Sequence, residues 1–430
     1  MFFLLYNAIS VIIFLPVMLY HLYRALSRGR SPAFAERLGL VPAEAMKKLY
    51  GKKVVWLHAV SVGEVIAARP LVKRLKTAYP DHALLLSVTT ETGRGVAERD
   101  QLADAVVYFP FDFMPSVWAS IRQIMPSLVI IMETEIWPNF CFELHRRSIP
   151  LFLANGRISD RSFGRYMQFG WFFKKTLALF DRICMQTETD LERIVAIGAV
   201  ACKSQVCGNL KYDIPFRQIG ADERAELRKK YAIATDCLVI TLASTHPGEE
   251  EILLSALASS KIDKGYVRLV LVPRHPERAA EVAQTIERYG YSCRRRTELA
   301  AGEAELQQAG QVLLVDTVGE LMNIYAMSDV AYVGGSLVPT GGHNLLEPAS
   351  LGIPAIFGPC MTNFREIAGL ALQYGAAVQV QDSKGFGDAL ADFAVSPELR
   401  HVIGQNGLKM MRANGGATER HLAFIKEVLG

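Results

Sequence analysis

The chain has 430 residues, half of them hydrophobic, which is enough for two globular domains with separate cores. Its 47 basic and 43 acidic residues leave a net charge of only +4, which makes no electrostatic case for nucleic-acid binding. The seven cysteines (141, 184, 202, 207, 237, 293 and 360) are odd in number and scattered, with no second pair or His pair to complete a metal site, and read as reduced thiols.

The first stretch, MFFLLYNAISVIIFLPVMLY, carries no charged side chain, and as a helix it would span about 30 Å. Basic residues come after it (Arg24, Arg28, Arg30 and Arg37), whereas a cleaved signal peptide carries them before its apolar run. By the positive-inside rule, residues 1–24 form a single N-terminal anchor with the body on the cytoplasmic side. Asn7 and Pro16 weaken a full crossing and leave an interfacial helix as the second reading.

From residue 53 the pattern becomes repetitive. KVVWLHAV, ALLLSVT, AVVYFPF, LVIIMET, PLFLANG, RICMQT and SQVCGN predict a first run of strands, with helices such as PLVKRLKTAY and TDLERIVAIGA between them. Most are continuously apolar, as parallel strands buried on both faces must be. A polar stretch near 211–235 interrupts the winding. It resumes with CLVITLAST, VRLVLVPR, QVLLVDT, VAYVGG and IPAIFGP. The fold class is therefore α/β, with two doubly wound, Rossmann-like domains facing a cleft: residues 32–212 and 213–430. Ligands of such sheets bind at the carboxyl ends of the strands, so the segments after each strand carry the chemistry.

Those segments include SVGE (61–64), METEIWPN (132–139), NGRIS (155–159), GNLKYD (208–213), STHPGEE (244–250), PRHPER (273–278), DTVGE (316–320) and GGSLVPTGGHNLLEP (334–348). Ser61 and Glu64 fit a capping box; a helix N-terminus lowers the pKa of a carboxylate placed there, while burial by a bound lipid substrate would push it the other way. Glycines 334, 335, 341 and 342 lead toward a helix expected at about Asn344, where free amides and the helix dipole would face an anion. Glu347, one turn inside, suits ribose hydroxyls. Arg274 suits a phosphate, with an ion pair to Glu277 or Asp316 as the bland alternative. No G-x-x-x-x-G-K-[ST], no G-x-G-x-x-G after the first strand and no Asp-x-Asp occurs, which argues against P-loop, ordinary dinucleotide and Asp-x-Asp metal chemistry. A basic and aromatic stretch, RSFGRYMQFGWFFKKTLALF (161–180), suits either a lipid headgroup region or a core helix with outward charges.

Taken together, HAVSVGE, METEIWPN, NGRIS, GNLKYD, STHPGEE, VPRHPER, DTVGEL, YVGGS, GGHNLLEP and the NF at 363–364 resemble the lipid A Kdo transferases along nearly the whole chain. The resemblance implies a GT-B fold and inverting transfer of 3-deoxy-D-manno-oct-2-ulosonic acid (Kdo) from CMP-Kdo to a lipid A precursor, lipid IVA, at the inner membrane. It implies no cofactor and no catalytic metal. Residues 32–212 would bind the acceptor and residues 213–430 would bind CMP-Kdo, with the last helix free to return to the first domain. Glu64 would be the general base, with Glu133 and Lys211 supporting the transition state. CMP would contact Pro273, Arg274, Val318, Gly319, Glu320, Asn344, Leu345, Leu346 and Glu347. Within the same fold, a nucleotide-sugar 2-epimerase is the rival enzyme; outside enzymes, the rival is a membrane-tethered sensor that binds CMP without turnover.

Overall fold

In the computed structural model, which describes residues 2–27, 33–216, 218–260, 262–263, 265–299 and 310–429, the apolar runs form two seven-stranded sheets. Arg28 and Arg30 of the basic run lie outside the described residues. In chain order the first sheet comprises β1 (Lys53–His58), β2 (His82–Val88), β3 (Ala105–Tyr108), β4 (Leu128–Met132), β5 (Leu151–Gly156), β6 (Arg182–Met185) and β7 (Ser204–Val206). Their spatial order is β3-β2-β1-β4-β5-β6-β7, and every pairing is parallel. Val54 and Trp56 of β1 enter one core layer while Val55 and Leu57 enter the other, which is why this strand reads as unbroken hydrophobicity.

The second sheet comprises β8 (Leu238–Thr245), β9 (Val267–Pro273), β10 (Ser292–Arg295), β11 (Gln311–Leu314), β12 (Val330–Val333), β13 (Ala355–Phe357) and β14 (Ala377–Gln379). Its order is β10-β11-β9-β8-β12-β13-β14, again wholly parallel. The strand order reverses between β1 and β4 in one sheet and between β8 and β12 in the other. These two switch points are where loops splay apart and open a binding crevice.

The chain divides into one unit of residues 1–213 plus 414–430 and a second of residues 214–413. The final helix, Ala417–Leu429, is thus part of the first unit. Asp213 accepts the N–H groups of Gly416 (2.7 Å), Ala417 (3.3 Å) and Thr418, capping that helix from a distant part of the chain. Its His421 is buried: Nδ1 donates to Ala417 O at 2.7 Å and Nε2 accepts the Asn155 N–H at 3.0 Å. Burial lowers its pKa to about 4, so the imidazole is neutral and its tautomer is set by these two bonds.

Among the described residues, no helix is long and apolar enough to cross a membrane. The helix Phe2–Leu26 lies against the first unit. Tyr6 donates to Asp112 at 2.8 Å, Asn7 donates to Asn139 at 3.0 Å, and Phe14 stacks on Phe113 with ring centroids 4.4 Å apart. Asp112 also accepts the Phe140 N–H at 2.8 Å, tying the terminal helix to the start of helix Pro138–Arg146. Ile12 and Leu15 remain exposed.

Candidate active site

β1 and β4 flank the first switch point; Glu133 follows β4 directly, and Glu64 lies in the first turn of the helix that follows β1. Ser61 caps helix Val62–Ala78, its Oγ accepting the Glu64 N–H at 3.5 Å. The Glu64 carboxylate, 8% exposed, accepts the Val60 N–H at 2.8 Å and the Ser61 hydroxyl at 3.1 Å. The capping box expected from the sequence is therefore displaced by one residue, from the Ser61 amide to that of Val60. Burial pushes the pKa of Glu64 up to about 7, and the nearby charges of Glu133 and Glu135 add to this against the two hydrogen bonds. The expectation that the helix start keeps this carboxylate below its ordinary range is overturned: lost hydration and two like charges outweigh the cap.

Glu133 sits in the left-handed region (φ 56°), with its amide bonded to Ala154 O at 2.8 Å. Such a conformation costs a non-glycine residue on the order of 1–3 kcal/mol, so the surrounding bonds must hold it. Its carboxylate lies 3.9 Å from Lys211 Nζ. Lys211 belongs to the 3-10 turn Leu210–Tyr212, positioned by Asn209 Oδ1 on its own N–H (3.0 Å) and Asn155 Oδ1 on that of Leu210 (2.9 Å). Helix Val62–Ala78 packs against this turn. Glu64, Glu133 and Lys211, three strand ends apart in sequence, thus form one cluster. Glu135, not singled out in the sequence, joins it, held above its ordinary range by burial and Glu133.

The second unit repeats the pattern with a different result. His246-Pro247-Gly248-Glu249 follows β8 as Ser61-Val62-Gly63-Glu64 follows β1. Glu249 is fully buried and accepts five hydrogen bonds: from Tyr332 OH (2.6 Å), the amides of Ser336 and Leu337 (both 3.0 Å), and the amides of Gly335 (2.7 Å) and His246 (3.2 Å). It therefore organises the glycine loop after β12. Gly334 has no room for a side chain, since a Cβ would sit 2.5 Å from Ser244 O. The shared Gly-Glu spacing is the signal that marks Glu249, and sequence reasoning passed over it.

Because Glu249 occupies the amides of residues 335–337, and the Gly342 N–H bonds Gly335 O at 2.7 Å, the expectation that this whole loop offers its amides to an anion is narrowed. Among the described residues, the amides of Gly341, His343, Asn344 and Leu345 make no internal hydrogen bond. The helix that follows, Leu346–Ser350, has only five residues, so little dipole supports them. Asn344 Oδ1 accepts the Leu346 N–H at 3.1 Å and its Nδ2 reaches Glu347 at 3.4 Å, while Leu345 and Leu346 are buried. Pro273 ends β9, and the next residue, Arg274, is exposed with no ion pair among the described residues. Asp316 bonds the Thr297 amide at 3.0 Å instead. Val318 and Gly319 form an exposed turn, and Glu320 accepts from Thr317 and from Tyr231 OH (3.1 Å), beside Arg296.

The family described as 3-deoxy-D-manno-octulosonic-acid transferase (kdotransferase) matches residues 32–214. The chain is 36% identical over 386 residues to the 3-deoxy-D-manno-octulosonic acid transferase of Haemophilus influenzae, covering 87% of each. It is 34% identical over 390 residues to that of Bordetella pertussis, again covering 87% of each. The chain belongs to the 3-deoxy-D-manno-octulosonic acid transferase family. It is therefore a glycosyltransferase. Its fold matches the Anabaena protein HepE, solved with UDP and glucose, at a TM-score of 0.55 and 14% identity over 87% of this chain and 99% of that one. The paired α/β units are those of the GT-B class.

Within this Kdo transferase family member, the one grouping of potential metal ligands among the described residues is Cys184, Cys207 and His421. Both His421 nitrogens are already hydrogen-bonded, so it has no lone pair for an ion. The thiols of Cys184 and Cys207 lie 2.6 Å apart, a buried pair that spacing alone did not reveal.

The two equivalent glutamates make opposite predictions for stability. The folded pKa of Glu64 exceeds its unfolded value, so its contribution favours the fold below about pH 4.5 and is lost as pH rises to about 7. Glu64→Gln is therefore expected to raise stability relative to wild type by up to about 3 kcal/mol at pH 8, with the gain vanishing near pH 4.5. Glu249→Ala strands five donors and is expected to cost about 3–5 kcal/mol. Urea unfolding across pH checks both; a Glu64→Gln gain that does not change with pH would contradict the burial argument.

Proposed function

We propose that this enzyme transfers Kdo from CMP-Kdo to a lipid A precursor with inversion at the anomeric carbon, Glu64 serving as general base. The observation that carries this reading is a buried carboxylate at the first switch point with few donors on it, whose pKa burial pushes up to about 7. A base is most effective when its pKa is close to the working pH, and this one has only two donors on it. In the proposed step an acceptor hydroxyl attacks the anomeric carbon from the face opposite the phosphate. Its proton passes to Glu64 as the new C–O bond forms, and CMP departs with the electron pair of the broken bond.

Positive charge grows on the sugar as the bond breaks, and the carboxylates of Glu133 and Glu135 favour it. Lys211 Nζ lies 3.9 Å from the Glu133 carboxylate and offsets its charge. On the leaving side, Arg274 and the amides of residues 341 and 343–345 meet the phosphate charge. No metal enters this scheme, because the cationic and amide donors supply the neutralisation. Pro273, Val318, Gly319, Glu320 and residues 344–347 frame the nucleotide.

The acceptor is an acylated disaccharide, and the first unit offers a surface suited to a bilayer. Ile12 and Leu15 on the terminal helix and Phe169 and Trp171 at helix Gly170–Leu177 are exposed, and Tyr6 meets Phe172 with ring centroids 5.8 Å apart. Lys174 and Lys175 sit on the same short helix. Aromatic and basic side chains together suit the headgroup layer, and an in-plane helix fits the docked Phe2–Leu26 better than a crossing. The body then lies at the cytoplasmic face of the inner membrane.

Purified enzyme given CMP-Kdo and a tetraacylated lipid A precursor should release CMP and yield a heavier lipid. Isomerised sugar would favour an epimerase, and binding without turnover would favour a sensor. Glu64→Gln should lower kcat by about 10³-fold or more, and near-normal turnover would remove Glu64 from the base role. Arg274→Ala should weaken CMP binding by about tenfold or more. Replacing Lys174 and Lys175 by Glu should reduce sedimentation with anionic vesicles, and unchanged sedimentation would reject that contact.

A further inference from the structure

At the second switch point, His246 after β8 and His343 in the glycine loop bring their Nε2 atoms to 2.8 Å, with rings nearly parallel (8°) and centroids 5.1 Å apart. Two lone pairs or two N–H groups cannot face each other at that distance. One proton therefore lies between them: one ring is the Nε2–H tautomer with a free lone pair at Nδ1, and the other is the Nδ1–H tautomer. The arrangement is rigid. The His246 amide is bonded to Glu249, and the His343 ring lies against Gly335, where a Cβ would come within 3.2 Å of Nε2.

We propose that this histidine pair is a proton-accepting anion subsite, which takes up one proton from solvent when a phosphate monoester binds beside Arg274. The inference rests on the reading of this strand edge as the CMP-Kdo site. The proton adds to the free Nδ1 of the Nε2–H ring, producing an imidazolium whose Nε2–H donates to the neutral partner. Such a charge-assisted bond is stronger than the neutral one. No other bond is made or broken.

The surrounding charges make the switch conditional on ligand. Burial lowers the pKa of both rings, that of His343 to about 4, and Arg274 and His275 press in the same direction. On His246, Arg278 opposes protonation and the Glu249 carboxylate favours it. Arg278 is tied to Glu250 at 2.9 Å, whereas Arg274 has no such partner among the described residues, so Arg274 is the cation that an arriving anion neutralises. Once its charge is answered, one of the charges that oppose protonation is removed, the bound anion itself favours the imidazolium, and the cationic pair adds a second contact to the same anion.

Isothermal titration of CMP into the full-length protein at pH 7, with EDTA present and in two buffers of different ionisation enthalpy, counts protons taken up on binding. The wild type should take up at least half a proton more per CMP than His343→Asn, which keeps hydrogen-bonding capacity but cannot titrate, and His246→Asn should match that variant. Ionisation of CMP itself is common to all three and cancels. Equal counts in wild type and both variants would overturn the proton-accepting pair while leaving CMP binding, and the transferase reading, intact. Absence of CMP binding to the wild type would overturn both.

Discussion

Each sheet converts its first strand into a helix through a Gly-Glu step, and the number of hydrogen-bond donors around that glutamate decides how firmly it is held. Glu249 receives five donors, more than the roughly four lone-pair positions of a carboxylate easily accommodate, and so it is fixed as an internal strut. Glu64 receives two and faces two further carboxylates. One geometry thus gives a structural anion in the second unit and an undersaturated one in the first. Exchanging these donor sets would abolish both roles.

The undersaturation has a cost, and the fold supplies its support. Glu133 holds a left-handed backbone, Asn155 does the same at φ 58°, and the final helix returns to lock Asn155 through His421. Asp213, at the end of the GNLKYD segment, caps that helix while Lys211, two residues earlier, reaches Glu133. The last residues of the chain are therefore part of the framework behind the proposed catalytic cluster, with burial in the core of the first unit as the binding energy. A carboxylate poised at pH 7 needs such stiffness, because a relaxed loop would rehydrate it.

Much of this was legible in the sequence for a physical reason: strands buried on both faces must be continuously apolar, and the residues that end them must be polar. β10 (SCRR) and β14 (AVQ) escape that rule because each is an edge strand, covered less completely and kept short. The carboxyl-edge motifs located Glu64, Glu133, Lys211 and Arg274 correctly at strand ends. The direction of the Glu64 pKa was not legible, since it depends on Glu135 and on burial, neither of which a local pattern reports. The loop at 334–347 was read as a generic anion cradle, but its first amides serve a buried glutamate that lies 86 to 88 residues earlier in the chain. The N-terminal helix Phe2–Leu26 shows the same limit. Its apolar composition is evident, while the Tyr6, Asn7 and Phe14 contacts that lay it on the body depend on partners over a hundred residues away or from distinct elements.

What the proposed chemistry requires above all is that Glu64 change protonation state near neutrality. Titration of its side-chain carboxyl by ¹³C NMR, assigned by difference against Glu64→Gln in otherwise identical labelled protein, reads this without any substrate. The midpoint should lie near 7 and fall when Glu133 is replaced by Gln, since the like charge that raises it is gone. A midpoint near 4.5 that ignores Glu133 would mean a solvated, uncoupled carboxylate, and the base assignment would lose its physical ground.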